Sequence, residues 1–117
     1  MIINFEEITF ELTDIEVETT LPKVVEILSS ATNLQRAITN EKIIFLLKQQ
    51  DIKCSSPRIR KIIHEIRIHH LVPHLIATSK GYYITSDIEE VRKYIVSLQQ
   101  RIRSITEIIT ALETELS

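Results

Sequence analysis

The stretch Ser56-Pro57-Arg58-Ile59-Arg60-Lys61-Ile62-Ile63-His64-Glu65-Ile66-Arg67, followed by Leu75-Ile76-Ala77-Thr78-Ser79-Lys80-Gly81-Tyr82-Tyr83-Ile84, decides how this chain folds. In its first part Ile59, Ile62, Ile63 and Ile66 recur at the i, i+3, i+4, i+7 spacing that lines one face of a helix. Ser56-Pro57 offers a hydroxyl acceptor and then a residue whose φ is already helical, which predicts the helix start there. In the second part, two β-prone runs flank a turn that holds the only glycine of the chain, so a hairpin is expected. At about 100° per residue, Lys61 and His64 fall opposite the isoleucines, with Arg60 and Arg67 on one flank and Arg58 on the other.

Working outward, Thr39 reads as the cap of a preceding helix whose Ile43, Ile44, Leu46 and Leu47 form its apolar stripe. Thr20-Leu21-Pro22 announces an earlier helix carrying Val24, Val25, Ile27 and Leu28 and ending near Asn33. Before it, residues alternate apolar and polar from Ile8 to Leu12 and from Ile15 to Glu18, the period-two signature of one or two half-buried strands. The phase slips at Thr13-Asp14, as at a bulge or a turn.

On the far side, Ser86 and Glu89 match a capping box, Ser-x-x-Glu, opening a last helix that no proline or glycine interrupts. Its apolar residues fall at Ile88, Val91, Ile95, Leu98, Ile102, Ile105, Ile109, Leu112 and Leu116, alternately three and four apart. Such a seam demands a partner along its ~45 Å, and a small domain core cannot cover it all. A homodimer through Ile95, Leu98, Ile102, Ile105, Ile109 and Leu112 is expected, with parallel and antiparallel pairing both open. The expected organisation is residues 1–85 as a binding domain with N-terminal strand(s) and residues 86–117 as a dimerisation helix.

At 117 residues the chain has room for one domain and an appendage, and its 44% apolar share supports a real core. One glycine excludes phosphate-cradling glycine loops. A lone cysteine makes no internal disulfide, and no run reaches the ~20 apolar residues that span a bilayer. The start, Met1-Ile2-Ile3-Asn4-Phe5-Glu6-Glu7, lacks the flank and length of an export signal, so a cytoplasmic setting is the expectation.

The formal charge of −2 hides a division along the chain. Residues 1–50 carry four Lys/Arg against eight Asp/Glu, and residues 82–117 four against six, whereas residues 51–81 hold six cations against two carboxylates. All four histidines lie in that basic window.

Three helices and then a hairpin, with the third helix basic, is the element order of a winged helix-turn-helix. Over residues 22–85 the chain resembles the N-terminal winged-helix module of biotin-repressor-type regulators and small phage or bacterial DNA-binding proteins. The carrying residues are Ile59 to Arg67 running into Leu75 to Ile84, with the turn Lys80-Gly81-Tyr82 the most specific part. It departs from the pattern between Lys48 and Ser56, where the turn has no glycine. The fold class expected is α+β, mainly α.

The resemblance implies double-stranded DNA as the partner and no catalytic role, as in a transcriptional regulator or a replication accessory factor of a phage or mobile element. Candidate contacts are Arg60, Lys61, His64 and Arg67 on the outer face of the third helix, Arg58 and Ser56 at its start, and Lys80 and Tyr82 at the hairpin turn. Two half-sites about one helical turn apart fit a dimer. The rival reading is a non-catalytic protein-interaction scaffold of the same fold, in which the cations are a solvated helix face.

His69, His70, His74 and Cys54 supply metal-ligand types, but no Cys-x-x-Cys pair supports a zinc site, and neither metal nor cofactor is expected. Cys54 reads as a small turn cysteine rather than a redox sensor.

Overall fold

The computed structural model describes residues 11–117. The first three residues of the alternation expected from Ile8 to Leu12 lie outside the described residues, and Glu11 and Leu12 belong to no strand. The protein is mainly helical with a two-stranded antiparallel sheet. Its contacts group into two units, residues 1–85 and 86–117.

The expected strand from Ile15 to Glu18 is instead helical. Thr13 and Glu16 form a reciprocal capping box: Thr13 N–H donates to Glu16 Oε1 at 2.9 Å, and Glu16 N–H donates to Thr13 Oγ1 at 3.2 Å. The alternation of Ile15 and Val17 reflects no buried sheet face, since both side chains are exposed. A π-helical stretch, Glu16–Thr20, then runs into α1 (Leu21–Ser29). Leu21 N–H closes the wide turn onto Glu16 O. Pro22, which lacks an N–H and crowds the carbonyl one turn back, follows directly on it. Helix α1 buries Val24 and Leu28.

A 3₁₀ turn, Leu34–Arg36, leads to α2 (Asn40–Lys48), whose N-terminus is capped as expected by Thr39, with Oγ1 accepting from Lys42 N–H at 3.1 Å. It buries Ile43 and Leu47. Asp51 takes the place of the missing glycine in the turn that follows, at φ +59°. Its N–H bonds to Lys48 O and that of Ile52 to Leu47 O, both at 3.0 Å. This is a Schellman closure, and a short polar residue such as Asp tolerates its left-handed position better than most.

Helix α3 (Ser56–Ile68) buries Pro57 and the four expected isoleucines, Ile59, Ile62, Ile63 and Ile66. Its cap is Ser55, not Ser56: Ser55 Oγ accepts from Arg58 N–H at 3.4 Å. A second Schellman closure ends it, with His70 at φ +55° and Leu71 N–H bonded to Ile66 O at 3.0 Å. These isoleucines pack with Val24, Leu28, Ile43, Leu47, Val72 and Leu75 in one core.

The hairpin pairs β1 (Leu75–Thr78) with β2 (Gly81–Ile84) in the register Leu75↔Ile84 to Thr78↔Gly81, leaving Ser79-Lys80 as the loop. Gly81 sits at φ +118°, and a Cβ there would lie 2.4 Å from the carbonyl carbon of Ile38. Glycine is thus required twice, for its φ and for the strand bridge in which Ile38 and Tyr82 exchange backbone hydrogen bonds of 2.9 and 2.8 Å.

Helix α4 (Ile88–Glu115) spans 28 residues. Its cap is Asp87 rather than Ser86, Oδ1 accepting from Glu89 N–H at 2.9 Å. No residue of α4 is buried. Among the described residues no helix is long and apolar enough to cross a membrane.

Candidate nucleic-acid interface

The buried isoleucine stripe of α3 fixes which of its polar residues face water. Arg60 and His64 are exposed and take part in no ion pair with another described residue. They stand one turn apart, as the wheel expects of an outer face. Lys80 is exposed in the hairpin loop, where its N–H donates to Thr78 Oγ1 at 3.1 Å and its side chain is left to solvent.

Other expected contacts are placed differently. Arg58 turns away from solvent to form a bidentate pair with Glu16, with Nε 2.9 Å from Oε2 and Nη2 on Oε1. Nη2 also donates to Glu11 O at 3.1 Å. Both side chains of the pair are about 15% exposed. These contacts tie the N-terminal helical segment to the start of α3. The Arg58 guanidinium holds the Glu16 carboxyl below its ordinary range, against the opposing effect of burial.

Lys61 lies along α3 towards Glu65, with Nζ 3.0 Å from Oε1, and His69 Nε2 stands 3.1 Å from Oε2 of the same carboxylate. The Lys61 hydrogen bond, helped by its charge and by His69, keeps Glu65 below the ordinary carboxylate range. The Lys61 side chain is 13% exposed, as screened as that of Arg58, and is tied to Glu65 rather than displayed. Arg67 is half-buried, with Nη2 donating to Leu75 O at 3.4 Å, and holds α3 to β1. Ser56 is half-buried, its Oγ accepting from Asn40 Nδ2 at 3.5 Å, which joins the starts of α2 and α3. Tyr82 is half-buried, and its backbone is held by Ile38.

The outer face thus keeps Arg60, His64 and Lys80 open, Lys61 is tied to Glu65, and Arg58, Arg67, Ser56 and Tyr82 build the frame. Helix α3 itself carries four cations against one carboxylate, and Glu16 from the preceding segment pairs with one of the four. Glu16 and Glu65 were absent from the expected site. Glu65 was legible, since it stands four residues from both Lys61 and His69. Glu16 is 42 residues from Arg58, and only the Thr13-x-x-Glu16 box hinted that it belongs to a helix.

Burial pushes the Cys54 thiol up to about 11, with Glu16 adding to the effect and Arg58 opposing it. At neutral pH it is a protonated, half-buried thiol, the opposite of an activated nucleophile. No group of three or more His, Cys, Asp and Glu placed to hold a metal ion occurs among the described residues.

In α4 the expected dimerisation residues Ile95, Ile102, Ile105, Ile109 and Leu112 are 47 to 64% exposed, and Leu98 is half-exposed. Ile108, at 60%, widens the stripe. Comparison of the chain with models of protein families, with curated proteins and with solved structures finds no match.

Proposed function

We propose that residues 22–85 form a winged helix-turn-helix and that the protein binds double-stranded DNA as a homodimer joined through α4. A transcriptional regulator, or a replication accessory factor of a phage or mobile element, is the role this reading supports, with no catalytic step. The observation that carries it is the two-sided character of α3: four isoleucines hold one side in the core while Arg60 and His64 stand open on the other. Arg60 has the fork that matches guanine O6 and N7, and Lys80 extends from the adjoining turn to a phosphate. Lys61 reaches a phosphate only by leaving Glu65, and with the two side chains 13% and 16% exposed that exchange costs more than at an open surface pair.

The scaffold reading is favoured by one specific observation, that Arg58 and Lys61 bring their own carboxylates. The two readings separate in a duplex-binding assay by fluorescence anisotropy. Arg60→Ala combined with Lys80→Ala should weaken binding at least tenfold while leaving the fold intact, because both side chains are exposed. Affinity unchanged by the double substitution would favour the scaffold.

A further inference from the structure

We infer that α4 pairs with the α4 of a second copy in antiparallel orientation, with Ile102 of one copy layered on Ile105 of the other. The inference rests on the self-association reading and adds to it the orientation and register that the apolar spacing leaves open. Ile88, Ile95, Ile102, Ile105, Ile109 and Leu112 stand 47 to 64% exposed along 28 helical residues, an apolar seam of about 42 Å.

Charge selects the occupant. Along α4 the charges come in blocks: acidic at Asp87, Glu89 and Glu90, basic at Arg92, Lys93, Arg101 and Arg103, and acidic again at Glu107, Glu113 and Glu115. An in-register parallel pair sets every block level with its own copy, so that like charges lie at the same height along the pair. Its one attractive flanking pair is Asp87 with Arg92, and the Asp87 carboxylate already caps Glu89 N–H at 2.9 Å. It also places Glu113 beside the apolar Ile108, where the carboxylate loses water without gaining a cation.

The antiparallel register sets the basic block along the last acidic block, at the cost of placing Arg101 beside Ile108 and Glu115 beside Tyr94. Core layers become Val91 on Leu116, Ile95 on Leu112, Leu98 on Ile109 and Ile102 on Ile105, each made twice by the two-fold axis. Arg92 then faces Glu113 of the second copy, also twice, and the last acidic block lies along Arg92 and Lys93. Arg92 is at present 2.7 Å from Glu89, but both side chains are about two-thirds exposed, so that pair is readily exchanged. Sliding the register seven residues towards fuller overlap would set Arg101 against Arg101 and Asp87 against Glu115. Sliding it seven the other way loses two of the eight layers. Antiparallel pairing attaches the two copies of residues 1–85 to opposite ends of the helix pair.

Spin labels on the full-length protein test this. Lys93→Cys in a Cys54→Ser background gives one label per chain, and pulsed dipolar spectroscopy reads the distance within the dimer. The antiparallel register separates the two labels by about 31 Å along the helix axis, since 21 residues intervene at ~1.5 Å each. A dimer with that spacing is the expected result. A dimer whose labels are separated only across the helix pair, with no axial offset, would overturn the orientation and leave self-association standing. A protein that sediments as a monomer at every concentration would overturn both. As a second reading, Glu113→Arg should raise the dimer dissociation constant several-fold and Arg92→Glu in the same chain should restore it; a double variant as weak as the single would contradict the register.

Discussion

Helices α3 and α4 carry the same periodic pattern of isoleucines and meet opposite fates. In α3, Ile59, Ile62, Ile63 and Ile66 are at most 4% exposed, sealed by α1, α2 and the hairpin. In α4 the equivalent stripe stands open along the whole element. A helical period says that a face is apolar, and the surrounding chain decides what covers it. The first face is the underside of the proposed DNA reader. The second is the proposed contact with another copy.

Substitutions can break this contrast. Truncating the core stripe should have the largest effect: Ile62→Ala should cost about 2–5 kcal/mol in urea denaturation, because the fully buried site leaves a cavity when emptied. An effect below about 1 kcal/mol would show that α3 is not the centre of the core. The matching change in α4, Ile102→Asp, should leave the folding of residues 1–85 untouched and shift the sedimenting mass towards monomer. An unchanged dimeric mass would remove α4 as the contact.

Next in size is the pair that positions α3. Glu16→Gln should destabilise the protein by about 1–3 kcal/mol at neutral pH, less than the loss of one partner of a fully buried pair. Because Arg58 lowers the Glu16 carboxyl in the folded state, its stabilisation is complete above the ordinary carboxylate range and is lost as pH falls through the folded value. The wild type should therefore lose stability towards acid more steeply than Glu16→Gln, measured as urea midpoints between pH 7 and pH 3. Parallel pH profiles would exclude Glu16 as the linked group. The smallest effect on stability is expected for Arg60→Ala, within about 0.5 kcal/mol, as for other exposed sites. A larger loss would mean that Arg60 has a structural partner.

The same contrast shows what the chain's letters reveal. The four isoleucines of α3, the hairpin around Gly81 and the apolar seam of α4 were legible because each is a local repeat or a turn with its own chemistry. The misreadings arose where two local signals competed. Ile15 and Val17 alternate like a strand, yet Thr13 and Glu16 cap a helix, and the cap prevails because no second strand pairs with residues 15–18 among those described. Ser86 and Asp87 are adjacent cap formers, as are Ser55 and Ser56, and in each pair the backbone takes the residue one position away from the expected one.

The site was legible only in part. A helical wheel separates apolar from polar, but it does not show that Arg58 meets a carboxylate 42 residues away or that Arg67 reaches Leu75 O. Both depend on how separate segments come together. Arg60, His64 and Lys80 have no carboxylate one turn away on their own helix, but neither do Arg58 and Arg67, so this local spacing identifies only the Lys61–Glu65 pair.

The most direct test of DNA binding is the salt dependence of duplex affinity, read as the slope of log K against log salt from about 50 to 200 mM. If each of two heads places Lys61 and Lys80 on phosphates while Arg60 reads a base, the slope should be close to −3.5, at about 0.9 per phosphate. A slope between zero and about −1 would contradict the account, since α3 would then be contacting something other than a phosphate backbone.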